Sequence, residues 1–279
     1  FEDLMTSCLS LIQTENLLSD EDFAQDGTRV QSAAGRSSGR REGTLLKYQE
    51  EARNHLKDLQ KNGGLSASEL TNKQRQARYS ARKDKKDRMD SAVEEMKMGH
   101  GGFSFACNVQ VVTGTKSRAI YGISVSNSSD QGKAPPMFAQ TLSMLNRIEV
   151  EYPQNWIADS AYSTVSDIEG NYELLPTCNS IFAPKENKGS DPTQERKRDG
   201  PGMKKWRGSL KTEEFVKTYA QRCSTVELSN ARIKNKGLSR FSLRGLIKTQ
   251  SEALLAAITH NVSMLINYFT KKQVTEELV

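Results

Sequence analysis

Long apolar runs are missing from this sequence. In 279 residues the longest purely apolar stretch is the six residues Ala253 to Ile258. A helix needs roughly 20 such residues to span a bilayer, so a membrane-spanning helical protein is excluded and no membrane partner is expected. The opening Phe1-Glu2-Asp3 is acidic where a secretory signal would be basic, which makes the cytoplasm the expected compartment. The chain also begins without Met, as a fragment lacking its N-terminal part would. Cysteine is scarce: Cys8, Cys107, Cys178 and Cys223 stand far apart with no C-x-x-C between them. That pattern suggests neither a zinc ribbon nor a redox dithiol and leaves reduced, buried, small hydrophobes. His55, His100 and His260 are scattered and form no H-E-x-x-H, so zinc chemistry is not expected. Hydrophobic residues reach only 35% while charged ones make up 27%, so much of the surface faces water or a polyanion.

What is present is an uneven charge. Lys and Arg number 40 against 34 Asp and Glu, a net +6 that carries meaning only where it is clustered. It is clustered twice. Residues 48 to 98 hold 12 basic and 9 acidic residues with a helical pattern broken at Asn62-Gly63-Gly64, which reads as a two-helix excursion. There Arg75, Arg78, Arg82, Lys83, Lys85, Lys86 and Arg88 alternate with acids, fitting a solvated helix as well as a DNA contact. Lys185 to Gly208 holds 8 basic and 4 acidic residues and reads as a Gly/Pro-rich loop too long to be a plain connector. Its Lys185, Lys188, Arg196, Lys197, Arg198, Lys204, Lys205 and Arg207 favour phosphate contact. Trp206 fits a base-stacking platform or a loop anchor equally.

Periodicity supplies the elements. Phe1, Leu4, Met5, Cys8, Leu9 and Ile12 predict a helix within residues 1 to 20, and Asp22 to Ser32 a strand. Phe103, Phe105, Cys107, Val109 and Val111 alternate with polar or small residues, predicting a strand with one buried face, and Tyr121, Ile123 and Val125 complete a hairpin. Pro135-Pro136 opens a helix to Ile148. Trp156-Ile157-Ala158 is a third strand, and Ser180 to Ala183 reads as another short one. Lys211 to Lys236 is helical. A last helix from Leu246 to Phe269 is expected to bury Ile247, Leu254, Leu255, Ile258, Val262, Leu265, Ile266 and Phe269 on one face. This order is an α/β plan with a mixed sheet.

Three acids sit where that plan would expose them together. Asp26 lies on the first strand, Asp159 at the carboxyl end of a buried strand and Glu227 on a late helix. Ligands of open α/β sheets collect outside the carboxyl strand ends, and carboxylate clusters suit Mg²⁺ or Mn²⁺. A pair of such ions can generate a hydroxide nucleophile and stabilise the leaving oxygen of a phosphodiester. Singly, each acid also fits a plainer role: Asp26 a D-G turn, Asp159 the cap of a helix beginning near Ser163, Glu227 a solvated helix carboxylate. Glu227 and Lys234, seven residues apart, share a helix face, whereas Arg222 falls about 140° round from Glu227 and is expected to face the body or another DNA strand.

Phe23-Ala24-Gln25-Asp26-Gly27-Thr28-Arg29-Val30, Asn108-Val109-Gln110, Trp156-Ile157-Ala158-Asp159-Ser160-Ala161-Tyr162, Val226-Glu227 with Arg232-Ile233-Lys234, and the run from Gly237 through Leu246 to His260-Asn261 together resemble a bacterial insertion-sequence transposase of the DDE type. The resemblance spans roughly residues 20 to 265. It departs at Ser160-Ala161, where the family usually has a small residue and then Gly. It implies a ribonuclease H-like catalytic domain, into which the charged helical stretch 48–98 fits as an insertion after the first strand. Asp26, Asp159 and Glu227 would be the catalytic triad holding two Mg²⁺ or Mn²⁺ ions, and Tyr219, Arg222, Glu227 and Lys234 the Y…R…E…K helix signature. DNA would be both transposon end and target, met by Tyr219, Arg222, Lys234, Lys197, Arg198, Lys204, Lys205, Arg240 and Arg244, with a homodimer in the synaptic complex on bacterial nucleoid DNA. The chain then divides into a remnant of an N-terminal helical segment (1–20), the first part of the catalytic domain (21–47), the insertion (48–98), the remainder of the domain (99–270) and a C-terminal tail (271–279). Two other classes fit these residues: a transposase-derived DNA-binding protein or truncated fragment that does not cut, and a host nuclease of the ribonuclease H type.

Overall fold

A computed structural model of the chain describes residues 1–33, 50–51, 54, 95–97, 103–185 and 191–277. Most of the charged stretch 48–98 lies outside these residues, including its basic positions from Arg75 to Arg88, as does Lys188. The strands are β1 (Asp22–Gln31), β2 (Glu95–Lys97), β3 (Phe103–Gly114), β4 (Ile120–Ser126), β5 (Asn155–Ala158) and β6 (Asn179–Phe182). The helices are α1 (Glu2–Thr14), α2 (Ala134–Arg147), α3 (Val165–Leu174), α4 (Pro201–Ser209), α5 (Glu213–Arg222), α6 (Leu228–Asn235) and α7 (Leu246–Glu277). The main sheet runs β4-β3-β1-β5-β6, with β2 beside the start of β3. β3 is antiparallel to β1 and β4, whereas β1, β5 and β6 are mutually parallel. A mixed sheet in this order, flanked by helices, is consistent with the ribonuclease H-like fold.

Several expectations change. Glu95–Lys97, expected to be helical, pairs with Phe103–Phe105 as a strand. Pro201–Ser209, expected to be loop, is a helix because Pro201 opens its first turn and Glu169 accepts from the backbone N–H groups of Gly202 and Met203 at 3.1 and 2.8 Å. The last helix runs on to Glu277, past its expected end at Phe269. β3 is buried on both faces from Ala106 onward, so its alternation separates an apolar face from a buried polar one. Along α7 only Leu254, Ile258 and Leu265 of the expected stripe are buried; Ile247, Leu255, Val262, Ile266 and Phe269 are exposed, and Ala253, Ala257 and Asn261 take their place. No helix among the described residues is long and apolar enough to cross a membrane.

The core is centred on Phe23, Tyr121, Phe138 and Trp156. Phe23 meets Tyr121 edge-on at 4.8 Å, and Phe138 lies 4.7 Å from Trp156. Burying each such side chain contributes about 1.5–3 kcal/mol. α1 joins the same core through Met5, Cys8, Leu9 and Ile12, with Phe1 and Leu4 left outside. Gly114 has to be glycine, since a Cβ there would stand 2.2 Å from an oxygen of buried Asp20. β4 is an edge strand, and α7 closes that edge with two amides. Asn261 accepts from the Ile120 N–H at 2.9 Å and donates to its carbonyl at 2.8 Å. Gln250 does the same for the Val125 N–H and the Ile123 carbonyl. An edge satisfied by side chains offers no template to another strand.

Candidate active site

Asp26 is not in a turn. It sits within β1, and the alternation of the strand points it away from Gln25 and Gly27. The parallel register Ala24↔Ile157 runs on, two residues later, to Asp26 beside Asp159, so the sheet itself brings two of the acids to one face just past the end of β5. Asp159 also caps a 3-10 turn, Ser160–Tyr162, by accepting from the Ala161 N–H at 2.8 Å; α3 is capped instead by Thr164. Capping and membership of the acid cluster are therefore compatible roles.

The third acid arrives by a helical irregularity. Between α5 and α6, Cys223–Glu227 forms a π-turn packed on β1 and β3. Hydrogen bonding of the i→i+5 kind inserts one residue per turn, so Arg222 and Glu227 come onto one face instead of lying 140° apart. Arg222 accordingly points into the acids. Its guanidinium donates to Asp26 at 3.0 Å, lies 3.3 Å from Glu227 and stands 3.9 Å from Asp159. Arg118 steadies the turn from the β3–β4 connection by bonding the hydroxyl of buried Thr225.

Burial pushes the Asp26 carboxyl up to about 6; Arg222 pulls it down and Asp159 pushes with the burial. Burial would lower the Arg222 pKa, but Asp26 and Asp159 together raise it above the ordinary arginine value. Lys234 is half-buried, and burial lowers its pKa against the pull of the Asp26 charge. Tyr219 is half-buried and stacked on Phe215, its phenol raised chiefly by burial and lowered by Arg222.

Asn230 belongs to none of the sequence motifs, yet its amide donates to the other oxygen of Asp26 at 3.1 Å. It lies three residues after Glu227 and four before Lys234, and that spacing on one helix face was the available signal. Its own carbonyl oxygen is buried without a partner, as is Nε of Arg222. Across the sheet, Asp130 accepts from Asn108 and Gln110 at 2.8 and 2.7 Å. Gly27 leaves room for this group, since a Cβ there would lie 2.0 Å from Asp130.

The donor set suits a hard cation: three carboxylates and an unpartnered amide oxygen, all oxygen ligands. Among the described residues, no group of three His, Cys, Asp or Glu side chains stands close enough to hold one metal ion. The Arg222 guanidinium lies between the acids instead. The residues fit the ion by chemistry, and Arg222 holds its ground.

The basic residues divide. Lys197, Arg198, Lys204, Arg240 and Arg244 are exposed. Lys205 donates to the carbonyls of Pro176, Thr177 and Cys178 at 2.8–3.2 Å. Arg207 is buried in a 2.6 Å pair with Asp199, and Trp206 is buried with its indole N–H on the Phe182 carbonyl at 3.0 Å. Trp206 thus anchors α4 rather than offering a free stacking face, and Arg207 is committed to the protein.

Residues 185–266 match the family model of the transposase DDE domain. That stretch contains Tyr219, Arg222, Glu227 and Lys234; Asp26 and Asp159 lie before it. No curated protein and no solved structure matches the chain.

Proposed function

We propose that this protein is a bacterial insertion-sequence DNA transposase that cuts phosphodiester bonds at element ends and joins the freed 3′ hydroxyl to target DNA. The observation that carries the reading is the convergence of Asp26, Asp159 and Glu227, from two strands and a helix, on a single guanidinium within 3.9 Å. Acids gathered this way on one partly buried cation form a local excess of negative charge at the carboxyl end of a parallel pair, where α/β sheets bind ligands. Asp26, Asp159 and Glu227 would share Mg²⁺ or Mn²⁺ among them, no one ion taking all three acids as they stand, and such ions would supply the activated oxygen nucleophile and the charge that stabilises the leaving oxygen.

The remaining work falls to side chains. Lys234 is a cation close to Asp26 and on the Glu227 face, positioned to hold a phosphate beside the scissile one. Asn230 fixes the orientation of Asp26. Lys197, Arg198, Lys204, Arg240 and Arg244 supply exposed positive charge for the DNA backbone, with Tyr219 at the margin of the site. Two ends have to be brought together for strand transfer, so the working unit is a homodimer on nucleoid DNA.

The test uses a supercoiled plasmid carrying the coding region with its flanking DNA. Wild-type protein with Mg²⁺ or Mn²⁺ is expected to nick and transfer strands, and Asp159→Asn to lose both while binding the same DNA in chelator. Binding without any cleavage by wild type would favour the non-cutting DNA-binding protein. Cleavage without strand transfer would favour a host nuclease.

A further inference from the structure

We propose that Arg222 is the resident counter-ion of the carboxylate site and competes with divalent cations for it. The inference rests on the reading of Asp26, Asp159 and Glu227 as metal ligands.

Three observations carry it. First, one guanidinium reaches all three acids, at 3.0, 3.9 and 3.3 Å, with only 13% of its side chain exposed. A positive charge so placed satisfies the acids and repels a second cation, and partial burial limits screening by water. Second, the arrangement is built and not incidental. A regular α-helix would turn Arg222 about 140° away from Glu227, and the π-turn Cys223–Glu227, seated on β1 and β3 and tied by Arg118, removes that angle. Third, the site is incompletely satisfied with Arg222 in it. Nε of Arg222 and the carbonyl oxygen of Asn230 are both buried without partners, and Asn230 is 7% exposed beside Asp26. Buried unpaired groups of this kind are costly. Asp26, Asp159 and Glu227 would hold a divalent cation in place of the guanidinium, and the unpartnered oxygen of Asn230, next to the amide nitrogen on Asp26, is a donor of the kind such an ion takes. Glu227, 53% exposed, marks the solvent side along which Arg222 withdraws.

The consequence is a site that stays neutralised without metal and loads only by displacing its own arginine. Arg222→Gln should therefore bind Mn²⁺ at least about tenfold more tightly than wild type in calorimetric titration of the full chain without DNA. Its melting temperature should be lower than wild type in chelator and should rise more on adding Mn²⁺. Arg222→Lys, which keeps the charge but cannot span three acids with one ammonium, should fall between the two and serves if the glutamine variant does not fold. Equal or weaker Mn²⁺ binding by both variants would overturn the proposal and make Arg222 a structural tie. If neither wild type nor the variants bind Mn²⁺, the metal-site reading itself fails and the proposal with it. Equal binding by all three overturns the proposal alone.

Discussion

The two faces of β1 carry two polar clusters, one built mainly of amides and the other of charges, and they are finished differently. On the side of Gln25 and Gly27, the Trp156 indole donates to Gln25 at 3.0 Å, Gln25 donates to Gln110 at 2.8 Å, and Gln110 also accepts from Tyr162 at 2.5 Å. Gln110 and Asn108 then both donate to Asp130. Every polar atom of the three amides has a partner. On the side of Asp26, three acids share one guanidinium, and two buried polar atoms have no partner at all. A closed network locks strands and helices at a fixed spacing. An open one leaves valence for a ligand, and this contrast is the ground for reading the Asp26 side as the candidate site.

The comparison is broken most severely by removing an acid from the open side. Asp159→Asn is expected to reduce metal-dependent nicking by at least about a hundredfold, as loss of a single preorganised charge-stabilising group does elsewhere. The far-ultraviolet circular dichroism should stay that of wild type, because asparagine still accepts from the Ala161 N–H. Wild-type nicking rates in this variant would reduce Asp159 to a cap.

Damage to the closed side should read out as stability. Gln110→Leu strands the Tyr162 hydroxyl and the Gln25 amide and takes a donor from Asp130, so urea unfolding should show a loss of about 2–3 kcal/mol or more. An unchanged midpoint would mean that the network contributes nothing net and that the contrast between the faces is cosmetic.

A third test concerns a buried group outside both clusters. His260 donates through Nε2–H to the Arg118 carbonyl at 2.9 Å, while its Nδ1 is buried without a partner. Burial lowers its pKa below 6.5, and Arg232 and Lys236 add to the lowering while the bond to Arg118 opposes it. The unfolded chain therefore binds the proton more readily than the folded one. Its contribution to stability is full above pH 6.5 and is lost as pH falls through the lower folded pKa. Thermal melts across that range should decline with acid, and His260→Gln should flatten the decline.

The smallest effect on the fold is expected at the exposed cations. Replacing Lys197, Arg198 and Lys204 with Ala should change stability by no more than about 0.5 kcal/mol. The salt dependence of DNA binding should flatten by up to about 0.9 log units for each phosphate that is no longer neutralised. Lys205→Ala should behave oppositely, lowering stability through three abandoned carbonyls and leaving the slope alone. A large slope change from Lys205 would show that those carbonyl bonds yield to DNA.

Much of the fold was legible because periodicity reports on burial. The strand at Trp156–Ala158, the hairpin through Tyr121, the proline-opened α2 and the helical run after Lys211 all follow from local pattern. Residues whose neighbours come from elsewhere in the chain were misread. Glu95–Lys97 has no strand pattern of its own and is extended by pairing with β3. Pro201–Ser209 looked like loop because its composition is that of a loop, and its N–H groups are met by Glu169, more than thirty residues earlier. The α7 stripe was misread because which face of a long helix is covered depends on where β4 and α1 lie.

For the site the division is sharper. Chain order placed Asp26, Asp159 and Glu227 as candidates and helical spacing put Lys234 on the face of Glu227, whereas the triad as a unit and Tyr219 were pointed to only by the resemblance to a DDE transposase. Only tertiary structure could decide what Arg222, Asn230 and Gly27 do. Arg222 reaches the acids through a π-turn that a uniform 3.6-residue repeat cannot represent. Asn230 meets Asp26 across 204 residues of chain. Gly27 is required by a side chain, Asp130, that folds over it from beyond β4. Pattern along the chain carries periodic exposure to water, whereas the placement of a charge against another charge depends on register and packing between segments that the pattern never compares.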